Sequence, residues 1–230
     1  MAGGWSALER SLRDAGAAHI AGVDEVGRGP LAGPVVVCAI VMPMDRRAIR
    51  GVDDSKQLDA AERERLARRI REEAVSLALA ASSVAEIARW NIYHATVRAM
   101  GRAVARLGVT PDRVLVDGKP IRTLAVPHQA VVGGDARCYS ISCASIVAKV
   151  VRDRLMTRLA VRYPGYSWET NSGYATPAHI AGLRAVGLTR HHRLAFCRTV
   201  LGGQLSLDAL TSDEPSLDEL EMQGPLSPPA

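Results

Sequence analysis

Apolar positions along the chain alternate between two rhythms: short continuous runs, and longer stretches with helical spacing. The runs Ile20 to Glu25, Pro34 to Met42, Ser76 to Ser83, Arg113 to Asp117 and Ala125 to Val132 predict strands. The first two flank Gly27-Arg28-Gly29-Pro30-Leu31-Ala32-Gly33, which predicts a hairpin-like connection. Residues 1–18 predict a short helical lead-in. Asp59-Ala60-Ala61-Glu62 has capping-box spacing and opens a helix to about Ala74. Val84 to Leu107 has a helical period broken near Trp90-Asn91, and Ile141 to Tyr163 predicts a long helix stopped by Pro164-Gly165. Shorter helices are expected over Thr176 to Val186, with Pro177 at the first helical position, and over His192 to Val200. The pattern predicts an α/β fold, a sheet domain followed by a small helical cap.

Composition sets limits on this picture. At 230 residues, 47% apolar and 23% charged, the chain fits one soluble domain with a sizeable core. The expected division is a lead-in over 1–18, a domain over 19–202 whose cap starts at about 164, and a tail over 203–230. That tail is acidic and rich in proline, so it is expected to be disordered or weakly helical. No apolar run has the length of a membrane span, and the start lacks signal-peptide features, so the expected compartment is the cytoplasm. Cys38, Cys138, Cys143 and Cys197 form no metal or disulfide pattern and read as small buried hydrophobes.

Charge is unevenly spread. The net charge is +5, yet no Lys or Arg follows Arg198, while Asp208, Asp213, Glu214, Asp218, Glu219 and Glu221 do. With those six acids set aside, 29 basic residues face 18 acidic ones, a body charge of +11. Such a body suits a polyanionic partner such as nucleic acid, although charge alone fits a merely basic soluble protein as well.

The chemistry concentrates at Asp24-Glu25, which ends an apolar run and precedes Gly27-Arg28-Gly29. Glycines let backbone N–H groups approach a ligand, and arginine suits phosphate. The pair reads either as a metal–phosphate site or as a charged turn. Asp117 and Asp135 also close strand-like runs, and each alone is ordinary turn chemistry. Four carboxylates gathered at one sheet edge would repel one another, and a divalent cation resolves that. Hard Mg²⁺ or Mn²⁺ takes oxygen ligands and bridges carboxylates to phosphate, and a pair of such ions serves phosphodiester hydrolysis. No His or Cys lies in these motifs, which argues against zinc.

Val23-Asp24-Glu25-Val26-Gly27-Arg28-Gly29-Pro30-Leu31-Ala32-Gly33-Pro34-Val35 resembles the opening signature of the type 2 ribonuclease H family, ribonuclease HII. The resemblance continues through Asp54-Ser55-Lys56-Gln57-Leu58, Val116-Asp117-Gly118, Gly134-Asp135, Ser145 to Val150 with Arg152-Asp153, Tyr163-Pro164-Gly165-Tyr166 and Gly173-Tyr174. It implies a ribonuclease H-like mixed β-sheet flanked by helices, with a C-terminal helical segment. It also implies a metal-dependent endoribonuclease that cuts the RNA strand of RNA–DNA hybrids and incises beside single ribonucleotides in duplex DNA, a role in ribonucleotide removal. The family's four acids fall on Asp24, Glu25, Asp117 and Asp135. Its ribose-contacting loop falls on Gly27, Arg28 and Gly29, and its substrate-sensing tyrosine on Tyr174. A monomer is expected.

The remaining candidates each carry two readings. Lys56 is a phosphate contact or a solvated turn; Lys149 is a phosphate contact or half of an i,i+4 ion pair with Asp153. Ser145 could bond a phosphate or simply pack within its helix. Among Tyr163, Tyr166, Trp168 and Tyr174, only Tyr174 is expected to touch substrate. His191-His192-Arg193 is expected to be a basic surface patch, and His128 and His179 to be structural. Ser172, Lys119 and Ala195 depart from the family pattern in positions that bear on affinity. The rival functions are a non-catalytic hybrid-duplex binder and a phosphatase of small esters.

Overall fold

The computed structural model describes residues 4–53, 55 and 58–202. A five-stranded sheet is built from β1 (Ile20–Val26), β2 (Val35–Val41), β3 (Ser76–Ser82), β4 (Arg113–Asp117) and β5 (Gln129–Val131), in the order β3-β2-β1-β4-β5. The β1–β2 and β2–β3 pairs are antiparallel, whereas β1–β4 and β4–β5 are parallel. β2, Val-Val-Val-Cys-Ala-Ile-Val, is buried at every position, as an unbroken apolar run in an inner strand requires. Lys56 and the tail 203–230 lie outside the described residues.

Helices cover both faces. Cys38, Ile40 and Met42 pack with α2 (Ala60–Glu73) and the long α5 (Tyr139–Arg162). Ala21, Val23, Val37, Ala39 and Val41 pack with α3 (Val84–Ala105) on the other face. Gly22 faces α5 so closely that a Cβ would lie 2.2 Å from the Ser140 carbonyl carbon. Only a glycine lets the start of α5 rest on β1. Glu9 of α1 (Ala7–Asp14) is fully buried there, accepting from the backbone N–H groups of Tyr139 and Ser140 at 3.0 and 2.8 Å. A carboxylate at that end of a helix satisfies orphan donors and matches the dipole.

Several elements differ from the sequence expectation. β5 spans three residues rather than eight, because the His128 ring bonds Val126 O and Ile121 N and folds the preceding segment into a loop. Asp135 does not end a strand: it lies in the short helix α4 (Gly134–Arg137), turned back by Gly133. The Asp59 side chain caps α2, but Glu62 pairs with Arg65 instead of closing a capping box. The break in α3 is real, with Asn91 at φ 58, ψ 167 and its Oδ1 accepting from His94 N. A cap of α6 (Trp168–Asn171), α7 (Pro177–Val186) and α8 (Leu194–Val200) encloses Tyr166 and Trp168, stacked at 5.0 Å with Leu31, Ala32 and Met156 in the same cluster.

Candidate active site

The parallel register pairs Val23 with Val116, so the next residues, Asp24 and Asp117, stand level at one end of neighbouring strands. Side chains alternate along a strand. Asp24, opposite Cys38, faces α5; Glu25, opposite Val37, faces α3. The two acids therefore straddle the sheet edge, and both feel the charge of Asp117. Burial, then Glu25 and Asp117, pushes the Asp24 carboxyl well above the ordinary carboxylate range, against the lowering effect of a Ser145 hydrogen bond. Burial also raises Glu25, opposed by Arg28, whose guanidinium donates to it at 3.1 Å. Asp117 Oδ1 accepts from Gly134 N at 2.6 Å, which ties β4 to the helix carrying Asp135. Asp135 itself is buried, and Ser142 Oγ donates to its carbonyl at 2.6 Å.

Glu25, Arg28, Asp117 and Lys119 line a cavity of about 310 Å³ whose helical wall is Tyr93, Thr96 and Met100. The acidic donor set is all oxygen and its members repel one another, which fits Mg²⁺ or Mn²⁺ in chemistry. Among the described residues no group of three His, Cys, Asp or Glu side chains is disposed to hold a metal ion. In this arrangement Asp24 is turned to the Glu25 N–H at 2.7 Å, Asp117 to Gly134 and Glu25 to Arg28.

The loop after β1 is shaped from behind by two buried arginines to which sequence alone assigns no role at the site. Arg193, 2% exposed, donates to the carbonyls of Gly27, Arg28 and Gly33 at 2.6 to 3.0 Å. Arg152, fully buried, donates to Ala32, Pro34 and Ser172 carbonyls. Neither has a carboxylate at ion-pair distance among the described residues, and burial with the neighbouring Arg152 lowers Arg193 to about 9. In a trans peptide C=O and N–H point in opposite directions. Because Arg193 draws the Gly27 and Arg28 carbonyls inward, the N–H groups of Arg28 and Gly29 face the other side of the loop. Successive amides presented this way form an anion-accepting concavity. Gly27 is at φ 91, and a Cβ there would overlap Arg152 Nε at 2.0 Å.

Tyr174 joins this loop. Its ring is 42% exposed, a Cβ on Gly29 would sit 3.8 Å from it, and Leu31 N bonds Gly173 O at 2.8 Å. Tyr166 and Trp168 instead build the cap, as expected. Lys149 Nζ is 2.8 Å from Asp153 Oδ1, which Ser172 Oγ also approaches at 3.0 Å. Ser145 Oγ is 2.9 Å from Ser55 Oγ as well as bonded to Asp24, so it serves the acid rather than a bare packing role. His191-His192-Arg193 corrects the surface-patch expectation: all three are buried. His192 Nε2 meets His179 Nε2 at 3.1 Å, and Trp168 donates to the latter. An adjacent trio of basic residues reads as surface from sequence; here loop carbonyls solvate Arg193, while His192 bonds Thr189 and His179. All four cysteines are free and buried.

The ribonuclease HII family model matches residues 21–199. Ribonuclease HII of Granulibacter bethesdensis is 55% identical over 192 residues, covering 82% of this chain and 87% of that protein. That of Thermosynechococcus vestitus is 48% identical over 201 residues, 86% of this chain and 93% of that one. The crystal structure of ribonuclease H2 from Pyrococcus horikoshii superposes with a TM-score of 0.68 at 25% identity, covering 79% of this chain and 96% of that one. The chain belongs to the ribonuclease HII family.

Proposed function

We propose that this chain is a metal-dependent endoribonuclease that cuts the RNA strand of RNA–DNA hybrids and incises 5′ to a single ribonucleotide in duplex DNA, leaving 3′-hydroxyl and 5′-phosphate ends. The observation that carries this reading is the β1–β4 register, which sets Asp24 level with Asp117, and Glu25 one residue on, beside the loop of outward amides. Mg²⁺ or Mn²⁺, held as a pair by oxygens of Asp24, Glu25, Asp117 and Asp135, would supply an activated water and neutralise charge on the leaving oxygen.

The protein's own share is positioning. The Arg28 and Gly29 amide N–H groups donate to the 2′-hydroxyl oxygen and the adjacent phosphate without side-chain obstruction; the 2′-hydroxyl is what distinguishes RNA from DNA. The exposed Tyr174 ring, next to Gly29, lies against the following sugar. Arg28 exchanges its Glu25 contact for phosphate, and Lys149 and Lys56 add phosphate contacts. The basic body tracks the backbone without sequence preference.

The test is a cleavage assay on duplex DNA carrying one ribonucleotide, with an all-DNA control and Mg²⁺ or Mn²⁺ varied. Incision on the 5′ side of the ribonucleotide alone is expected. Equal cutting of both duplexes, or none with either metal, would overturn the reading.

A further inference from the structure

The kink in α3 leaves an unusual surface beside the cavity. Asn91 adopts a left-handed φ and caps the following turn through His94 N, so the helix restarts and Trp90 is left 36% exposed. Two guanidiniums lie on that indole: Arg89 Cζ is 4.6 Å and Arg98 Cζ 5.0 Å from the ring centroid. Both arginines are exposed, and neither has an ion-pair partner among the described residues. Three residues on, Tyr93 is 40% exposed and lines the same cavity as Glu25, Arg28, Asp117 and Lys119.

Two like charges on one ring repel, while the indole face attracts each. Stacking also fixes side chains that would otherwise keep their rotamer freedom. The result is a preset cationic pair with no anion of the described residues paired to it. Phosphate groups brought to these two guanidiniums offset their mutual repulsion, and a polyanion supplies more than one of them.

We infer that Arg89, Trp90 and Arg98 form a phosphate-binding ridge that holds the nucleic-acid duplex outside the cleavage position. The inference rests on the nuclease reading for its choice of polyanion. Tyr93, one turn on from Trp90, lines the cavity with Arg28 and Lys119, which puts the ridge on the helix that walls that cavity. Trp90 acts as the platform that orients the arginines, and they make the contacts.

The test uses the full chain in EDTA with a fluorescent 30-base-pair duplex bearing one ribonucleotide, and reads binding against KCl concentration. R89Q/R98Q is expected to weaken binding roughly tenfold and to make the salt slope shallower by about 1 per arginine. W90A is expected to weaken binding roughly two- to fivefold, the size of an exposed cation–π contact. The control R13Q/R69Q removes the same charge from two exposed ion pairs elsewhere. An R89Q/R98Q slope equal to wild type, or an equal fall in the control, would overturn the ridge; the first would point to a protein partner. Since binding is read without cleavage, a wild-type protein that binds yet never cuts would count against the nuclease reading alone.

Discussion

Arg193 Nη2 donates to the Gly27 carbonyl at 2.6 Å, across 166 residues of sequence. The same guanidinium holds Arg28 and Gly33, so one side chain of the cap sets the conformation of the loop beside the acids. Arg193→Met would strand three carbonyls, each costing about 1–3 kcal/mol when left buried and unpaired. Arg193→Lys retains the charge and loses the fork. The expected outcome is a folded protein, by circular dichroism, with kcat/KM on the single-ribonucleotide duplex at least tenfold lower; wild-type kinetics would show that the loop holds itself.

Asp24→Asn should abolish cleavage while leaving duplex binding within about twofold, since among the described residues the carboxylate bonds Glu25 N and Ser145. Burying a carboxylate beside two others disfavours its charged form, so the neutral isostere relieves a penalty. In EDTA at pH 7 the variant should melt about 2–4 °C higher, the shift that 1 kcal/mol produces in a domain of this size. A lower melting point would mean that the charge is compensated.

Gly22→Ala places a methyl 2.2 Å from Ser140 C and 2.5 Å from Ile141 N. Both are backbone atoms, so the long helix must move. A loss of about 3 kcal/mol or more is expected in urea unfolding, at the top of the overpacking range. A change under 1 kcal/mol would show that helix and strand are less closely seated.

The cap should loosen in acid. Burial lowers His179, His191 to about 4 and His192 to about 3, the last two also repelled by neighbouring cationic groups. A histidine with a folded pKa below its unfolded value contributes stability that is whole above about pH 6.5 and is lost as pH falls toward the folded value. Melting points of the wild type should therefore drop between pH 6.5 and 3, more steeply than those of His192→Asn. Parallel curves would remove His192 from the account.

Most of the strands and the kink were legible because they leave local marks: apolar runs and a broken period. Asp24 and Glu25 read equally as a site or a charged turn, and the fold sets them on opposite faces of the strand, each within reach of the charge of Asp117. What sequence could not yield was Arg152 and Arg193. An arginine reads as surface unless its solvation is known, and here that solvation is a row of carbonyls whose direction only the tertiary fold determines. Ser145 was similarly ambiguous, one hydroxyl in an apolar helix. The three-residue β5 was overread because Pro127 and His128 bend a run that is apolar enough for a longer strand.

Glu9 joins the amide end of the longest helix to a segment that precedes the sheet, and that same helix delivers Ser145 to Asp24. The chain's opening turns are thus mechanically wired to the chemistry. Trimming them, or fusing a tag that pulls them loose, would detune a nuclease whose acids had not been touched.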